Sequence, residues 1–509
     1  MTVRPIESGL PFSRRLSYIS VTVDKGALLV HKQMRTYAPN ADKEHHFRLT
    51  PTADCVYSSD ESKLTGSAAN GGRIEMCFGN PAVLRVRCSG IGFTYDATDL
   101  FKVERIDADE YAIKLADDTT KYRYKDFDAC AADASADYEK WLAMYPPVNA
   151  RYEPMKRLAV YMIWICQIAP KGKLKEPAIL FTKPTEQACF SWHQVYHAML
   201  MNDPECAAQT LMNLFQNQDE FGELPDLVDD RYVNITATKP PFHGYGLLYL
   251  LERIGDKFTE QQLRSMYTGL ERLFGFWAVM RDTDEDGVPQ YNHGCESGYD
   301  FSAMFAKGVP VETPDIISYM ILLAEGLGEL ASRLNMAADA REWRTISLHL
   351  LHALTTEFWT GERFIARLSG THEEVIFDEL EAFLPLMLGE RLPKNIVERL
   401  ASDLANPDKY WTPWGLRSAP KRVGQSSVIM GFSQIKILPG LYKAGYRELA
   451  ANLLRGFCDY GAEHTPGFLF VAPEDGFEGD FGGEFGELSA LSGAIWLGCA
   501  AFLEEMGES

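Results

Sequence analysis

The sequence predicts an N-terminal antiparallel β-sandwich followed by an (α/α)6 toroid of helices. Apolar residues recur with a period near two up to about residue 140, and from about residue 150 onward they lie three and four apart. A chain of 509 residues is long enough for one large toroid with a smaller partner. We therefore expect a β-sandwich domain with a linker helix over residues 1–145 and a helical domain over residues 146–509.

Short stretches rich in β-branched and aromatic residues occupy the first part of the chain, and clusters of Gly, Asp, Asn or Ser separate them. This spacing is typical of an antiparallel sandwich. The predicted strands include Leu16–Val23, Ala27–Gln33, Val83–Cys88, Phe101–Ile106 and Tyr111–Leu115. A helix over Ala131–Tyr145 is expected to follow, and Pro146-Pro147 ends it because proline does not fit a helix interior.

The helical pattern predicts eleven or twelve helices. They are Met155–Ile168, Glu205–Asn217, Gly244–Leu251, Glu260–Met280, Pro314–Leu334, Ala338–Phe358, Glu379–Leu388, Ile396–Leu404, Ile429–Ala444, Arg447–Tyr460 and Leu488–Met506. About 30 residues per helix and connection suit helical hairpins wound into a toroid better than a compact bundle. Long connections in compact domains are usually functional, so we expect them to line one end of the toroid. These connections are Lys171–Gln194, Phe221–Gly244, Arg281–Ser302, Lys409–Ser427 and His464–Glu487.

Charge and composition exclude several classes of partner. The net charge of −21 repels phosphate backbones and anionic lipid surfaces, so neither a nucleic acid nor a membrane is expected. The ten cysteines contain no C-x-x-C pair and are expected to be free thiols. The first residues have no apolar signal region and no long apolar run follows, which favours a soluble cytoplasmic protein.

The connection Arg281–Ser302 carries the most chemical information. Asp282, Asp284, Asp286 and Gly287 imitate the opening of a calcium loop, but His293 stands where an EF-hand needs glutamate. We favour a turn held by Asx hydrogen bonds, and a calcium site of another type remains the alternative. We expect neither a metal nor a cofactor to take part in the reaction of this protein.

Glu296 and Asp300 lie four residues apart in this connection, so a helix would place both carboxyls on one face. Tyr299 and Phe301 would supply apolar walls, and such surroundings raise the pKa of a carboxyl toward the range that a general acid needs. A solvated acidic loop is the alternative.

Several segments together resemble glycoside hydrolase family 63 and the related trehalases, in particular the mannosylglycerate-hydrolase-like branch. The resemblance covers about residues 150–505, and it rests on the order and spacing of the segments. They are Phe190–Ala198, Asp203–Gln218 with Gly222–Pro225, Lys239–Gly244, Asp286–Ser302, Val311–Asp315, Tyr410-Trp411 and Trp414–Leu416.

The resemblance implies an inverting exo-glycosidase of the α-glucosidase type that hydrolyses a short oligosaccharide or a small glycoside. Such an enzyme needs a protonated carboxyl on the glycosidic oxygen and a carboxylate that activates water across the ring, about 6.5–9.5 Å away. Asp300 matches the family's general acid. A strict alignment places Phe470 or Val471 at the base position, so we expect the base among the carboxylates that follow, with Glu474 first and Glu478 and Glu484 as alternatives.

The sequence departs from the family pattern at two places. The family has aspartate directly after the first-motif Trp192, where this chain has His193. A Trp-Arg-Gly-Pro segment is expected near residues 422–427, where this chain reads Arg422-Val-Gly-Gln-Ser-Ser427. Both departures predict a specificity that differs from that of the family.

Candidate substrate-binding residues lie on the same connections. Aromatic rings stack on the apolar faces of sugars, and polar side chains fix hydroxyl groups. The candidates are Trp192, His193, Gln194, Asp226, Lys239, His243, Glu296, Tyr299, Trp411, Trp414 and Arg417. Arg417, with Lys421-Arg422, is a candidate for binding the carboxylate of an acidic glycoside, because arginine presents a bidentate fork. For each of them a purely structural role is the alternative.

Two other functions remain open. An epimerase or lyase on the same fold would use His193 or His243 as its base. A sugar-binding protein would have lost its catalytic base.

Overall fold

The computed structural model describes residues 3–33, 45–184, 188–300, 302–421, 428–464, 469–471 and 488–507. The predicted base residues Glu474, Glu478 and Glu484, together with Phe301 and Arg422, lie outside these described residues.

Two antiparallel sheets form the N-terminal part. One has the strand order β1-β2-β3-β4-β9 and the other the order β10-β11-β8-β7-β6-β5. The strands are β1 Phe12–Ser13, β2 Ile19–Asp24, β3 Ala27–Lys32, β4 His46–Pro51, β5 Cys55–Ser59, β6 Lys63–Ala68, β7 Arg73–Asn80, β8 Val83–Ser89, β9 Phe93–Tyr95, β10 Phe101–Arg105 and β11 Glu110–Leu115.

The two sheets share one apolar core. Strands of both sheets contribute buried apolar residues to this core, and aromatic rings of one sheet contact rings of the other. The Phe12 ring lies 5.8 Å from that of Phe78, and the Phe47 ring lies 5.1 Å from that of Phe101. The predicted antiparallel β part is thus confirmed.

Thirteen α-helices follow in the described residues. They are α1 Phe127–Leu142, α2 Glu153–Cys166, α3 Ser191–Ala198, α4 Pro204–Met212, α5 His243–Ile254, α6 Glu260–Gly275, α7 Gly294–Ser297, α8 Pro314–Arg333, α9 Ala337–Glu357, α10 Lys394–Leu404, α11 Gly431–Lys443, α12 Arg447–His464 and α13 Ala490–Glu505. A 3-10 segment spans Leu380–Arg391 and contains Pro385, which explains why the predicted helix there is not a regular α-helix.

Short strand pairs connect the helices and belong to five small antiparallel sheets. The strands are β12 Gln167–Ile168, β13 Ala178–Ile179, β14 Cys189–Phe190, β15 Leu227–Val228, β16 Val233–Asn234, β17 Gln290–Tyr291, β18 Val311–Glu312, β19 Ala366–Leu368, β20 Glu374–Val375, β21 Trp411–Thr412, β22 Gly415–Leu416, β23 Val428–Met430 and β24 Leu469–Val471.

Six helical elements contact one another in a closed order, and we call them the inner ring: α3, α5, α8, the 3-10 segment, α11, α13 and back to α3. Each inner element also contacts an outer helix: α4, α6, α9, α10, α12 and α2 lie outside the ring. The inner helices are apolar on most sides, since α8, α11 and α13 are buried along nearly their whole length.

The inner helix α3 is missing from the sequence-based prediction, which assigned Lys171–Gln194 to a connection. Its eight residues begin directly after the short strand β14, so the segment is too short to show a helical period.

The N-terminal part packs directly on the helices. The Tyr161 hydroxyl in α2 donates to the Pro11 carbonyl at 3.0 Å and accepts from the Ser13 amide at 3.3 Å. Val3 and Leu10 belong to the same apolar core as the helices. All ten cysteines are free, as predicted, and none of the described helices combines the length and the apolar character needed to span a membrane.

A pair of glycine substitutions tests the packing of the inner ring. A Cβ on Gly440 in α11 would lie 1.9 Å from the Leu386 carbonyl of the 3-10 segment, whereas a Cβ on Gly275 at the end of α6 meets nothing within 4 Å. We expect Gly440→Ala to lower the free energy of unfolding by about 1–3 kcal/mol, because the two elements must separate. Gly275→Ala should raise it by up to about 1 kcal/mol. Urea denaturation measures both, and the same sign for the two variants would contradict this packing.

Candidate functional site

The connection from Arg281 to Ser302 begins with a turn built from its own aspartates. The Asp282 carboxylate accepts from the amides of Asp286 at 3.2 Å and of Gly287 at 2.9 Å, and Asp286 accepts from the Val288 amide at 2.8 Å. Gly287 has a φ of +89°, which a residue with a side chain rarely adopts. The predicted turn held by Asx hydrogen bonds is therefore present.

Four potential metal ligands gather beside this turn, on Asp284, Asp286, Glu312 and His372, and their ligand atoms lie within 4.8 Å of one another. The Arg367 guanidinium already binds both Asp286 and Glu312. The His372 imidazole lies 3.2 Å from Asp284. Because a fixed guanidinium balances the charge of these carboxylates, we assign no metal to the cluster.

The middle of the connection is fixed by Glu296. Its buried carboxylate lies 2.8 Å from the Arg281 guanidinium and accepts from the amides of Asn292 at 2.6 Å and His293 at 3.2 Å. These amides belong to the start of the short helix α7, so Glu296 caps the helix that contains it. All these contacts are internal, which gives Glu296 a structural role here.

Asp300 does not share a helical face with Glu296, and that expectation is wrong. Helix α7 ends at Ser297, and Gly298 turns the chain with a φ of +75°. Asp300 is exposed beyond this turn, whereas Glu296 is 1% exposed. The two carboxyls therefore have different surroundings.

Asp300 lies near a second carboxyl and an ammonium group. Its carboxylate interacts with the Cys295 thiol and with Asp226. Asp226 is buried, and its carboxyl lies 3.3 Å from the Lys239 ammonium, which also donates to the Cys295 carbonyl at 2.5 Å. Burial raises the pKa of Asp226, Lys239 lowers it, and Asp300 raises it. The structure thus brings together three predicted site residues, Asp226, Lys239 and Asp300.

Trp192, His193 and Tyr299 lie beside this group. The Trp192 ring packs against Gly298, where a Cβ would lie 2.3 Å from the ring. The His193 ring stacks on that of Trp192 at 6.5 Å and lies 4.7 Å from that of Phe190. Burial, together with His197 and Lys239, holds the pKa of His193 well below its usual value, so the imidazole is neutral at neutral pH. Trp192, Tyr299 and the Gly298 turn form what we call the aromatic floor.

Two predicted binding residues have internal roles. The Gln194 amide bonds both backbone groups of Ile179, donating to the carbonyl at 2.8 Å and accepting from the amide at 3.0 Å. His243 is buried at the start of α5 with its ring 5.3 Å from that of Phe215, and burial lowers its pKa to about 3. Both side chains hold elements of the inner ring in place.

Trp411, Trp414 and Arg417 form a separate group around the β21–β22 hairpin. The two tryptophans are half-buried against the helical core, and Arg417 is buried with its amide donating to the Tyr410 carbonyl at 2.8 Å. Within the described residues, the contacts of this group are with α11, α12 and the 3-10 segment rather than with Asp300.

A buried charged cluster escaped the sequence analysis. It consists of Asp315 in α8, Glu381 in the 3-10 segment and Lys436 in α11, all at most 4% exposed. We call these three residues the buried charge cluster. A charged residue in a predicted helix is normally assigned to its solvent side. The signal for Lys436 was present in its neighbours, because Phe432 and Pro439 place it on an apolar face.

Comparisons with known proteins agree with this architecture. Residues 183–423 match the family model described as mannosylglycerate hydrolase MGH1-like glycoside hydrolase domain. This part of the chain is similar to that domain. The resemblance predicted from the sequence is thereby confirmed, and the matched range includes the Asp226, Lys239 and Asp300 group. No curated protein matches the chain significantly.

Solved structures of several glycoside hydrolases share this fold. The GH63 mannosylglycerate hydrolase from Thermus thermophilus, in complex with glucose, has a TM-score of 0.56 and 18% identity, covering 68% of this chain and 99% of its own. The neutral trehalase from Saccharomyces cerevisiae has a TM-score of 0.51 and 14% identity, covering 64% and 73%. A bacterial glucoamylase complexed with acarbose has a TM-score of 0.54 and 10% identity, covering 100% and 94%.

Removing the charge of Glu296 should destabilise the protein. Glu296→Gln removes the nearest counter-ion of Arg281, while Glu223 remains 3.6 Å away, so the loss should be about 1–3 kcal/mol. The matched control is Glu329→Gln, which removes a partly exposed pair with Arg333 and should cost less than about 1 kcal/mol. Urea denaturation of both variants measures the difference. Equal losses would mean that the Arg281 pair does not fix the connection.

Proposed function

We propose that this glycoside hydrolase domain is an inverting exo-glycosidase of the α-glucosidase type, acting on a short oligosaccharide or a small glycoside. One observation carries the proposal: the matched family range contains an exposed Asp300 beside a buried Asp226 and Lys239, above an aromatic floor. Asp300 would supply one of the two carboxyl groups that inverting hydrolysis requires.

The proposed architecture is an (α/α)6 toroid over residues 146–509, with a β-sandwich domain over residues 1–145. The closed order of the inner ring, with one outer helix against each inner element, supports it. Four inner elements approach the aromatic floor, since the Trp192 ring contacts that of Phe432, the Phe242 ring contacts that of Tyr319, and the Lys436 ammonium lies over all four. A substrate pocket at this end of the toroid follows from that arrangement.

Each group in the candidate site has a proposed role. Asp300 protonates the glycosidic oxygen, and a carboxylate among Glu474, Glu478 and Glu484 activates water on the opposite face of the sugar. Asp226 and Lys239 bind hydroxyl groups, while Trp192, which is 5% exposed and packed between Gly298 and Lys436, holds the turn that carries Asp300. His193 presents a neutral imidazole where the family has a carboxylate, which supports a sugar preference different from that of the family.

We also propose that the protein acts in the cytoplasm on a carbohydrate. Ten free cysteines support a reducing compartment, because thiols in oxidising compartments usually form disulfides.

Replacement of the proposed acid is the direct test. Asp300→Asn should reduce kcat on a panel of para-nitrophenyl glycosides and disaccharides by about 10²–10⁴-fold without unfolding, because it removes the proton donor. Asp109→Asn, an exposed change in the β part, is the matched control and should retain wild-type turnover. One variant should be inactive and two active among Glu474→Gln, Glu478→Gln and Glu484→Gln. Full activity of Asp300→Asn would end the assignment.

The neutral His193 imidazole in the site favours one second candidate, an epimerase or lyase that uses it as a base. Proton NMR of the wild-type reaction separates the chemistries, because inverting hydrolysis releases one anomer first and elimination produces an unsaturated sugar. Binding measured by calorimetry without any turnover would instead indicate a sugar-binding protein.

A further inference from the structure

The Lys436 ammonium lies inside a box of aromatic rings. Lys436 is 0% exposed, and its Nζ lies over five ring faces at distances of 4.4–5.5 Å from their centroids. The rings belong to Trp192, Phe242, Tyr299, Tyr319 and Phe432. A cation over a ring face is attracted by the negative charge of that face, and the attraction grows when water is excluded.

Polar contacts to this ammonium are few for a buried cation. In the described part of the chain it donates one hydrogen bond, to the Tyr319 hydroxyl at 2.9 Å. Asp315 and Glu381 contribute negative charge from α8 and from the 3-10 segment. Burial lowers the pKa of Lys436 to about 7, and these two carboxyls oppose the change. The aromatic rings therefore provide much of its immediate surroundings.

Two of the five rings form the aromatic floor of the candidate site. Trp192 is the ring nearest to Nζ, at 4.4 Å, and its far side packs against Gly298. Tyr299 directly precedes Asp300, and its hydroxyl lies 3.3 Å from the Ser433 hydroxyl on the same helix as Lys436. A shift of either ring would thus move the backbone that carries Asp300.

We propose that Lys436 is a positioning residue of the glycosidase reaction, because it holds the Trp192 and Tyr299 rings in the orientation that places Asp300. Asp315 and Glu381 keep a cation at this point, and Tyr319 fixes the ammonium between the rings. The inference rests on the proposed function for its activity readout. Small misplacements of a catalytic group reduce the rate strongly, whereas ground-state binding depends on them less.

The chain offers a matched control for each test variant. Lys183 is another buried lysine with a lowered pKa, but it donates to the Ser17 carbonyl at 2.7 Å and to the Ser13 hydroxyl at 3.3 Å, between the β part and the helices. Tyr138 has a buried hydroxyl that donates to the Arg157 carbonyl at 2.7 Å, away from the site. Lys183→Met and Tyr138→Phe therefore remove the same groups as Lys436→Met and Tyr319→Phe, without touching the aromatic floor.

Steady-state kinetics tests the inference on the glycoside that the wild-type protein hydrolyses best in the panel. Lys436→Met should lower kcat by about 10–100-fold per folded molecule while KM changes by less than about threefold. Tyr319→Phe should lower kcat by about 3–10-fold, and Lys436→Arg, which keeps the charge, should recover part of the loss. Both control variants should keep kcat within about twofold of wild type.

A spectroscopic measurement separates failure of this inference from failure of the proposed function. Near-ultraviolet circular dichroism reports the orientation of buried rings, so the spectrum of Lys436→Met should differ from that of wild type and that of Lys183→Met should not. If the wild-type protein hydrolyses no glycoside, the proposed function fails, and this spectrum still tests the positioning of the rings.

The inference is overturned if Lys436→Met keeps the wild-type spectrum. It is also overturned if kcat falls no further in Lys436→Met and Tyr319→Phe than in their controls. Tyr319→Phe retains the volume of the side chain and provides the test if Lys436→Met does not fold.

Discussion

The geometry of the candidate site depends on the buried carboxylate of Glu296. It binds the Arg281 guanidinium and two backbone amides, so one side chain ties the beginning of the Arg281–Ser302 connection to the helix near its end. Because removing the Arg281 charge would leave the buried Glu296 carboxylate without its ion-pair partner, this conformation is favoured over alternatives. The turn at Gly298 then directs Asp300 outward, while Tyr299 remains packed inside. The exposed Asp300 and the buried Glu296 thus come from one connection but have different surroundings.

Charges buried at the start of the inner helices distinguish this end of the molecule from the rest of the core. Asp315 and Glu381 lie in the first residues of their elements, and Lys436 follows within the second turn of α11. Burial raises the pKa of Glu381 to about 8, with Glu379 and Asp315 adding to the effect and Lys436 opposing it. Perturbed groups of this kind gather at functional sites more often than elsewhere. Their surroundings here are the rings that form the aromatic floor.

The sequence predicts the order of the strands and helices well, because periods of two and of three to four persist over long stretches. It fails where a single residue decides the local structure. Helix α3 is too short to show a period, and Gly298 breaks the helical spacing that would have placed Glu296 and Asp300 together. The apolar neighbours of Lys436 in α11 indicate its buried face, but the rings that surround its ammonium come from other parts of the chain, and no local pattern contains them. The Asp300 group, by contrast, was predicted through its motif.

The contact between Tyr161 and the first strand determines where the chain can be divided or extended. Pro11, Ser13 and the apolar residues Val3 and Leu10 complete the surface of the helical core, and α1 lies between the two parts. Either half of the protein, produced alone, would expose this shared interior to solvent. In this chain, insertions should therefore be tolerated more easily in the surface turns of the sheets than at the junction between the two halves.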